Sequence, residues 1–127
     1  MQAQILAWFE PADVAGQRVK DHMQAIAEGR SFDTVELALR AKRAAEAYES
    51  VKLSLYRLEE PKSEDLKEGL GYIRLAAVYR EDAYRAIYSW VDSRKDTDVA
   101  TYIENMEDAN TLSLAGLALI IQVAGWE

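Results

Sequence analysis

The segment LSLAGLALIIQVAGW, residues 112–126, decides the fold, because only Ser113 and Gln122 within it are polar. A helix that is apolar on every side must be covered on every side. We therefore expect this segment at the centre of a group of packed helices. Two arrangements would provide the cover: three other helices of the same chain surround it, or a second chain supplies part of the contact.

The strongest helical periodicity lies between residues 37 and 58. Its apolar residues alternate at spacings of four and three, a heptad pattern typical of nearly parallel or antiparallel helix packing. This seam consists of Leu37, Ala41, Ala44, Tyr48, Val51, Leu55 and Leu58. Two adjacent seams between residues 66 and 91 predict a helix with at least two neighbours. A further seam from residue 99 to residue 124 predicts the last helix.

The first helix is predicted to be short. Pro11 suits the first turn of a helix over residues 12–28, preceded by a short helical arm around residues 5–9. Gly29 then ends the helix, because glycine readily adopts the left-handed conformation found at helix C-termini.

Capping residues predict where the later helices begin. Asp33 and Glu36 form a capping box, and Phe32 and Leu37 form the accompanying hydrophobic staple, for a helix that runs to about residue 59. Ser63 is predicted to cap a helix that runs to residues 94–95. One residue among Asp96, Thr97 and Asp98 is predicted to cap the fourth helix.

The short connections force consecutive helices to be antiparallel neighbours. The sequence therefore predicts an all-α fold: an up-down-up-down antiparallel bundle of four helices in a single domain over residues 1–127. No stretch of useful length alternates β-branched and polar residues as a strand would.

Composition excludes several function classes. The chain has no cysteine, and its 15 basic and 22 acidic residues give a net charge of −7. Disulfides and thiolate chemistry are excluded, and an acidic surface disfavours nucleic-acid binding. The N-terminus lacks the basic region of a secretion signal, and the apolar run of 15 residues is too short to cross a bilayer. We expect a cytoplasmic protein with neither membrane nor nucleic-acid partners.

Two groups of carboxylates are the candidate metal ligands. Glu46 and Glu49 share one helix face, as do Glu104, Glu107 and Asp108. Carboxylates at this spacing hold magnesium in the all-α nucleotide pyrophosphohydrolases, but the second carboxylate motif of that family is missing here. The seams also place these residues at outer positions, so a solvated acidic face is the favoured interpretation and no metal or cofactor is expected.

Four polar residues stand out against the apolar pattern. His22 is the only histidine, too few for a di-iron or zinc site, and is expected to be semi-buried or at the surface. Arg80 interrupts a seam, either as an anion site inside the bundle or at a seam edge, with its guanidinium in water or bound to a glutamate. Asn110 and Ser113 either set the register of the last helix or mark a break in it.

We therefore expect a non-enzymatic interaction or assembly protein, a homodimer through its apolar C-terminal helix. A short first helix cannot cover the whole fourth helix, and a second copy is the simplest closure. The predicted interface consists of Leu117, Ile120, Ile121 and Trp126.

Two alternatives remain open at this point. The chain could be a metal-dependent hydrolase that uses the helix-borne glutamates. The acidic surface could instead occupy a basic protein partner, either blocking it or acting as its chaperone.

Overall fold

The computed structural model describes residues 2–123, and these form four helices with no strand among them. Helix α1 spans Gln2–Ala27, α2 spans Thr34–Tyr56, α3 spans Glu64–Ser93 and α4 spans Asp96–Gln122. The predicted all-α helical bundle is confirmed. None of these helices combines the length and the apolar character that crossing a membrane would require.

Helix α1 is not short, and the predicted separate arm is wrong. Pro11 lies inside one continuous helix of 26 residues, on its exposed side. Ile5, Ala12 and Val19 are spaced seven apart and are at most 5% exposed, so one buried stripe runs past the proline. A proline inside a helix costs about 3 kcal/mol, and burial of the turns before it offsets this cost.

Helix α2 carries the predicted seam. Leu37, Ala41, Ala44, Tyr48, Val51 and Leu55 are all buried, whereas Leu58 is half-buried and lies beyond the helix end at Tyr56.

The start of α2 agrees with the prediction only in part. The Asp33 carboxylate accepts a hydrogen bond from the Glu36 amide at 2.9 Å. The Glu36 carboxylate instead accepts from Arg40 at 3.0 Å, so the return half of the capping box is absent. Phe32 is 84% exposed whereas Leu37 is 1% exposed, so the predicted staple between them is wrong.

The ends of the other helices follow glycine and capping rules with two exceptions. Gly29 has φ 73 after α1, and Ser63 accepts from the Leu66 amide at the start of α3, both as predicted. Helix α3 ends at Ser93, and its C-cap Arg94 is a non-glycine residue with φ 55 whose guanidinium lies 4.6 Å from the Trp90 ring centroid. Helix α4 begins after Lys95, not after one of the three predicted caps.

The first of those caps, Asp96, is already helical, and no side chain caps the α4 N-terminus. Asp98 instead accepts a hydrogen bond from the Ser93 hydroxyl, which ties the start of α4 to the end of α3. Helix α4 is continuous through Asn110 and Ser113, so the alternative of a helix break there is wrong.

Each helix packs along its neighbour in sequence: α1 against α2, α2 against α3, and α3 against α4. Close backbone approaches between α1 and α4 are few. The core joins all four helices through aromatic rings: Tyr48 stacks on Tyr84 at 5.8 Å between centroids, with Phe9 and Tyr102 tilted against this pair.

Candidate functional site

An open groove separates α1 from α4, with α3 as its floor. Its volume is about 180 Å³. The lining is mostly apolar and comprises Ile5, Leu6, Phe9, Asp13, Ile73, Arg80, Ser113, Leu117 and Ile120. The groove exists because α1 packs along α2 and leaves one side of α4 without a neighbouring helix.

Arg80 lies on the floor of this groove and binds Asn110 and Ser113, the two polar residues that interrupt the seam of α4. Its guanidinium donates hydrogen bonds to the Ser113 hydroxyl at 2.9 Å and to the Asn110 amide oxygen at 3.3 Å. The residues that interrupt the seams of α3 and α4 therefore form one cluster. Both acceptors are neutral, and no described carboxylate lies within ion-pair distance of Arg80.

Asp13 on α1 is held by a buried tyrosine of α2. The Tyr48 hydroxyl donates a hydrogen bond to the Asp13 carboxylate at 2.5 Å. Burial raises the pKa of Tyr48 far above its ordinary value, and the hydrogen bond to Asp13 raises it further. Tyr48 therefore keeps its proton at neutral pH and acts as a structural donor that joins α1 to α2.

A glycine pair brings α3 and α4 together beside the groove. A Cβ atom added to Gly116 would lie 2.8 Å from the Gly69 carbonyl oxygen and 2.9 Å from the Ile73 side chain. A Cβ atom on Gly69 would lie 3.1 Å from the Gly116 carbonyl oxygen. The two backbones thus approach so closely that only glycine fits, and α4 presents this one face to α3.

The outward face of α4 is apolar and exposed. Leu114 is 72% exposed and Ile121 is 67% exposed, and their spacing of seven residues places them on the same face. The apolar segment is therefore not surrounded by helices of its own chain. Of the two arrangements expected from the sequence, cover by three helices of the same chain is wrong for residues 112–123, and cover by a second chain stays a prediction.

The predicted interface residues fall in different environments. Ile121 is exposed, Leu117 is half-buried in the groove wall, and Ile120 is 2% exposed and packed against Gly69 of α3. Trp126 lies outside the described residues. The sequence analysis missed Leu114, although its position seven residues before Ile121 in the same apolar run is the signal that would have found it.

The candidate metal ligands do not converge within the described part of the chain. Glu46, Glu104, Glu107 and Asp108 are exposed, and Glu49 pairs with Arg85 at 2.7 Å. Helices α2 and α4, which carry them, each pack along α3 and not along each other. Over the described residues, no group of three or more histidine or acidic side chains has the arrangement of a metal site.

One buried carboxylate was missed by the sequence analysis. Glu81 is 7% exposed and forms ion pairs with Lys52 and Arg85, each at 2.8 Å. Burial by itself raises the pKa of Glu81, but the hydrogen bonds from both cations outweigh this and hold the pKa below its ordinary value. The network braces α2 against α3. The available signal was the heptad spacing of Glu81 from Ala77 and Tyr84.

His22 is buried, at 7% exposure, and is neither semi-buried nor at the surface as expected. Its Nε2 atom lies 3.4 Å from the Ser31 hydroxyl, and its Nδ1 atom has no hydrogen-bond partner among the described residues. The ring fills space near the end of α1, where the chain turns toward α2.

No family model matches this chain, and no curated protein or solved structure matches it.

Proposed function

We propose that this chain is a non-enzymatic interaction protein that forms a homodimer through the C-terminal half of α4. The observation that carries the proposal is the exposure of Leu114 and Ile121 beside the open groove. An exposed apolar surface of this kind is unfavourable in a monomer, because the apolar side chains stay in contact with water. A second copy of the chain would cover it.

An up-down-up-down antiparallel arrangement underlies this proposal. Its support is the order of contacting pairs: from Glu49 to Lys52 along α2, the partners on α3 run backward from Arg85 to Glu81. Between α3 and α4 the order is also reversed, since Gly69 lies against Gly116 whereas Tyr84 contacts Tyr102. In this arrangement α1 and α4 form the two walls of the open groove.

The physical reason for the uncovered face differs from the one inferred from sequence. Helix α1 has 26 residues and α4 has 27, so a difference in helix length does not leave α4 exposed. The pairing of α1 with α2 leaves it exposed instead.

Charge along α4 favours a second copy as the occupant. All five acidic residues of α4 precede Ala109, and residues 109–122 carry no charge. Two copies of α4 that cross in antiparallel orientation near Leu117 would bring uncharged halves together and keep the acidic halves apart. Such a two-fold contact is the commonest form of self-association.

The test is sedimentation velocity or light scattering over a range of protein concentrations. We expect the wild-type chain to dimerise and the double variant Leu114→Asp, Ile121→Asp to remain monomeric with unchanged helicity. Each buried carboxylate would weaken association by at least about tenfold.

The matched control is Val35→Asp, because Val35 is 78% exposed and belongs to α2, not to the apolar half of α4. This variant should dimerise like the wild type. A wild-type chain that stays monomeric at high micromolar concentration would exclude the proposal, as would a double variant that still dimerises.

A further inference from the structure

A second concave site lies between α1 and α2 and has the opposite character to the apolar groove. Its volume is about 170 Å³. It is lined by Ala15 and Arg18 of α1 and by Glu36, Arg40 and Arg43 of α2. Ala15 is half-buried, and its small side chain leaves room between the longer ones. We refer to this site as the arginine cleft.

The arginine cleft has an excess of positive charge in an acidic protein. Three guanidinium groups line it against one carboxylate, whereas the whole chain has a net charge of −7. Glu36 binds the Nε atom of Arg40 at 3.0 Å. Among the described residues, Arg18 and Arg43 form no side-chain hydrogen bond or ion pair. Two cationic side chains of the cleft are therefore left without a described partner.

We propose that the arginine cleft binds a small anion through a phosphoryl group. The net charge of the lining, three positive groups against one negative, matches a phosphate dianion and exceeds what one carboxylate would neutralise. Guanidinium groups present pairs of parallel N–H donors that match phosphate oxygens, which makes arginine well suited to this ligand. The Glu36 carboxylate holds Arg40 in place through Nε and leaves the terminal nitrogens of Arg40 for the anion.

This inference does not depend on the proposed homodimer. The arginine cleft belongs to α1 and α2, and the exposed apolar face belongs to α4. The monomeric variant Leu114→Asp, Ile121→Asp is therefore expected to bind the anion as the wild type does.

Isothermal titration calorimetry with sodium diphosphate, at ionic strength held constant with sodium chloride, measures the binding directly. We expect saturable binding of diphosphate at one site per chain, weaker binding of inorganic phosphate, and none of acetate. Arg18→Ala and Arg43→Ala should each reduce affinity at least about tenfold, since each removes charge-assisted hydrogen bonds.

Two further variants separate specific recognition from general attraction. Arg43→Lys keeps the charge but loses the paired donors, so its affinity should fall between the wild type and Arg43→Ala. Glu36→Gln removes the only carboxylate of the cleft and should strengthen diphosphate binding. Arg57→Ala, at an exposed arginine outside the cleft, is the control and should leave binding unchanged.

Three outcomes would overturn the proposal. One is that a titration with sodium chloride alone gives the same heat as the titration with diphosphate, which indicates ionic screening. Another is equal loss of affinity in Arg57→Ala and Arg43→Ala. A third is binding to vesicles of phosphatidylcholine and phosphatidic acid without binding to free diphosphate, which indicates a membrane surface instead of a small-molecule site.

Discussion

Helix α4 meets its surroundings in two contrasting ways. Against α3, Gly116 and Gly69 bring the two backbones so close that no side chain fits between them. Toward α1, the same helix borders an open groove of about 180 Å³. An apolar helix therefore need not lie at the centre of a fold: one face of α4 supplies its tertiary contact, and another apolar face stays exposed.

The glycine contact provides the largest expected effect. Gly116→Leu would place a Cβ atom 2.8 Å from the Gly69 carbonyl oxygen of α3. Because this oxygen belongs to the backbone of α3, the clash can be relieved only if the two helices move apart. We expect a loss of about 3 kcal/mol in the free energy of unfolding, at the upper end of the usual cost of overpacking. Urea denaturation followed by circular dichroism measures the loss.

Gly71→Ala is the control for this substitution. A Cβ atom at Gly71 meets nothing within 4 Å, although Gly71 lies on α3 only two residues from Gly69. This variant should gain about 0.5–1 kcal/mol, because alanine favours the helix over glycine. A destabilised Gly71→Ala would mean that α3 tolerates no change here and that the glycine pair is not special.

The tyrosines of the core give an intermediate effect that depends on pH. Burial raises the pKa of Tyr84 above its ordinary value of 10.0, and the nearby Tyr102 adds to this. Above pH 10 the unfolded chain loses the Tyr84 proton while the folded chain keeps it. The free energy of unfolding therefore falls as pH rises, by up to about 1.4 kcal/mol per pH unit for each such tyrosine.

Tyr84→Phe should weaken this alkaline dependence, which urea denaturation between pH 9 and pH 11 would measure. Tyr88→Phe removes a hydroxyl from a side chain that is 46% exposed and should leave the dependence as in the wild type. If Tyr84→Phe and the wild type lose stability in parallel, burial of Tyr84 does not contribute to the alkaline transition.

The open groove predicts the smallest effect. Leu117→Phe adds volume to the side chain of a residue that lines the groove. The preceding residue on the same helix, Gly116, has no room even for a Cβ atom. We expect the free energy of unfolding to change by no more than about 0.5 kcal/mol, as at a surface site. The measurement requires low micromolar protein, so that association does not contribute. A loss as large as that of Gly116→Leu would show that the groove is closed in solution.

Sequence patterns predicted which faces are buried better than they predicted what covers them. The seam of α2 is confirmed at each position from Leu37 to Leu55, whereas Ile103 in the seam predicted for the last helix is 50% exposed. A heptad pattern does not specify which helix packs against a seam, so the sequence could not predict that one face of α4 stays exposed. At Pro11 the local rule failed because a buried stripe through Ile5 and Ala12 outweighed it.

The candidate sites were predictable to a similar extent. Arg80 was identified from sequence as an interruption of a seam, but its partners on α4 could not be named because register between helices depends on packing. The arginine cleft was not predicted at all, since it combines residues of α1 and α2 that lie far apart in sequence.

The two-residue connection between α3 and α4 has a consequence for the order of folding. Only Arg94 and Lys95 separate these helices, and Arg94 adopts the left-handed conformation that reverses the chain. Contacts between such close neighbours lose little chain entropy when they form, whereas α1 must join α2 across a longer turn. We therefore expect the hairpin of α3 and α4 to form first and the N-terminal half of the chain to pack onto it afterwards.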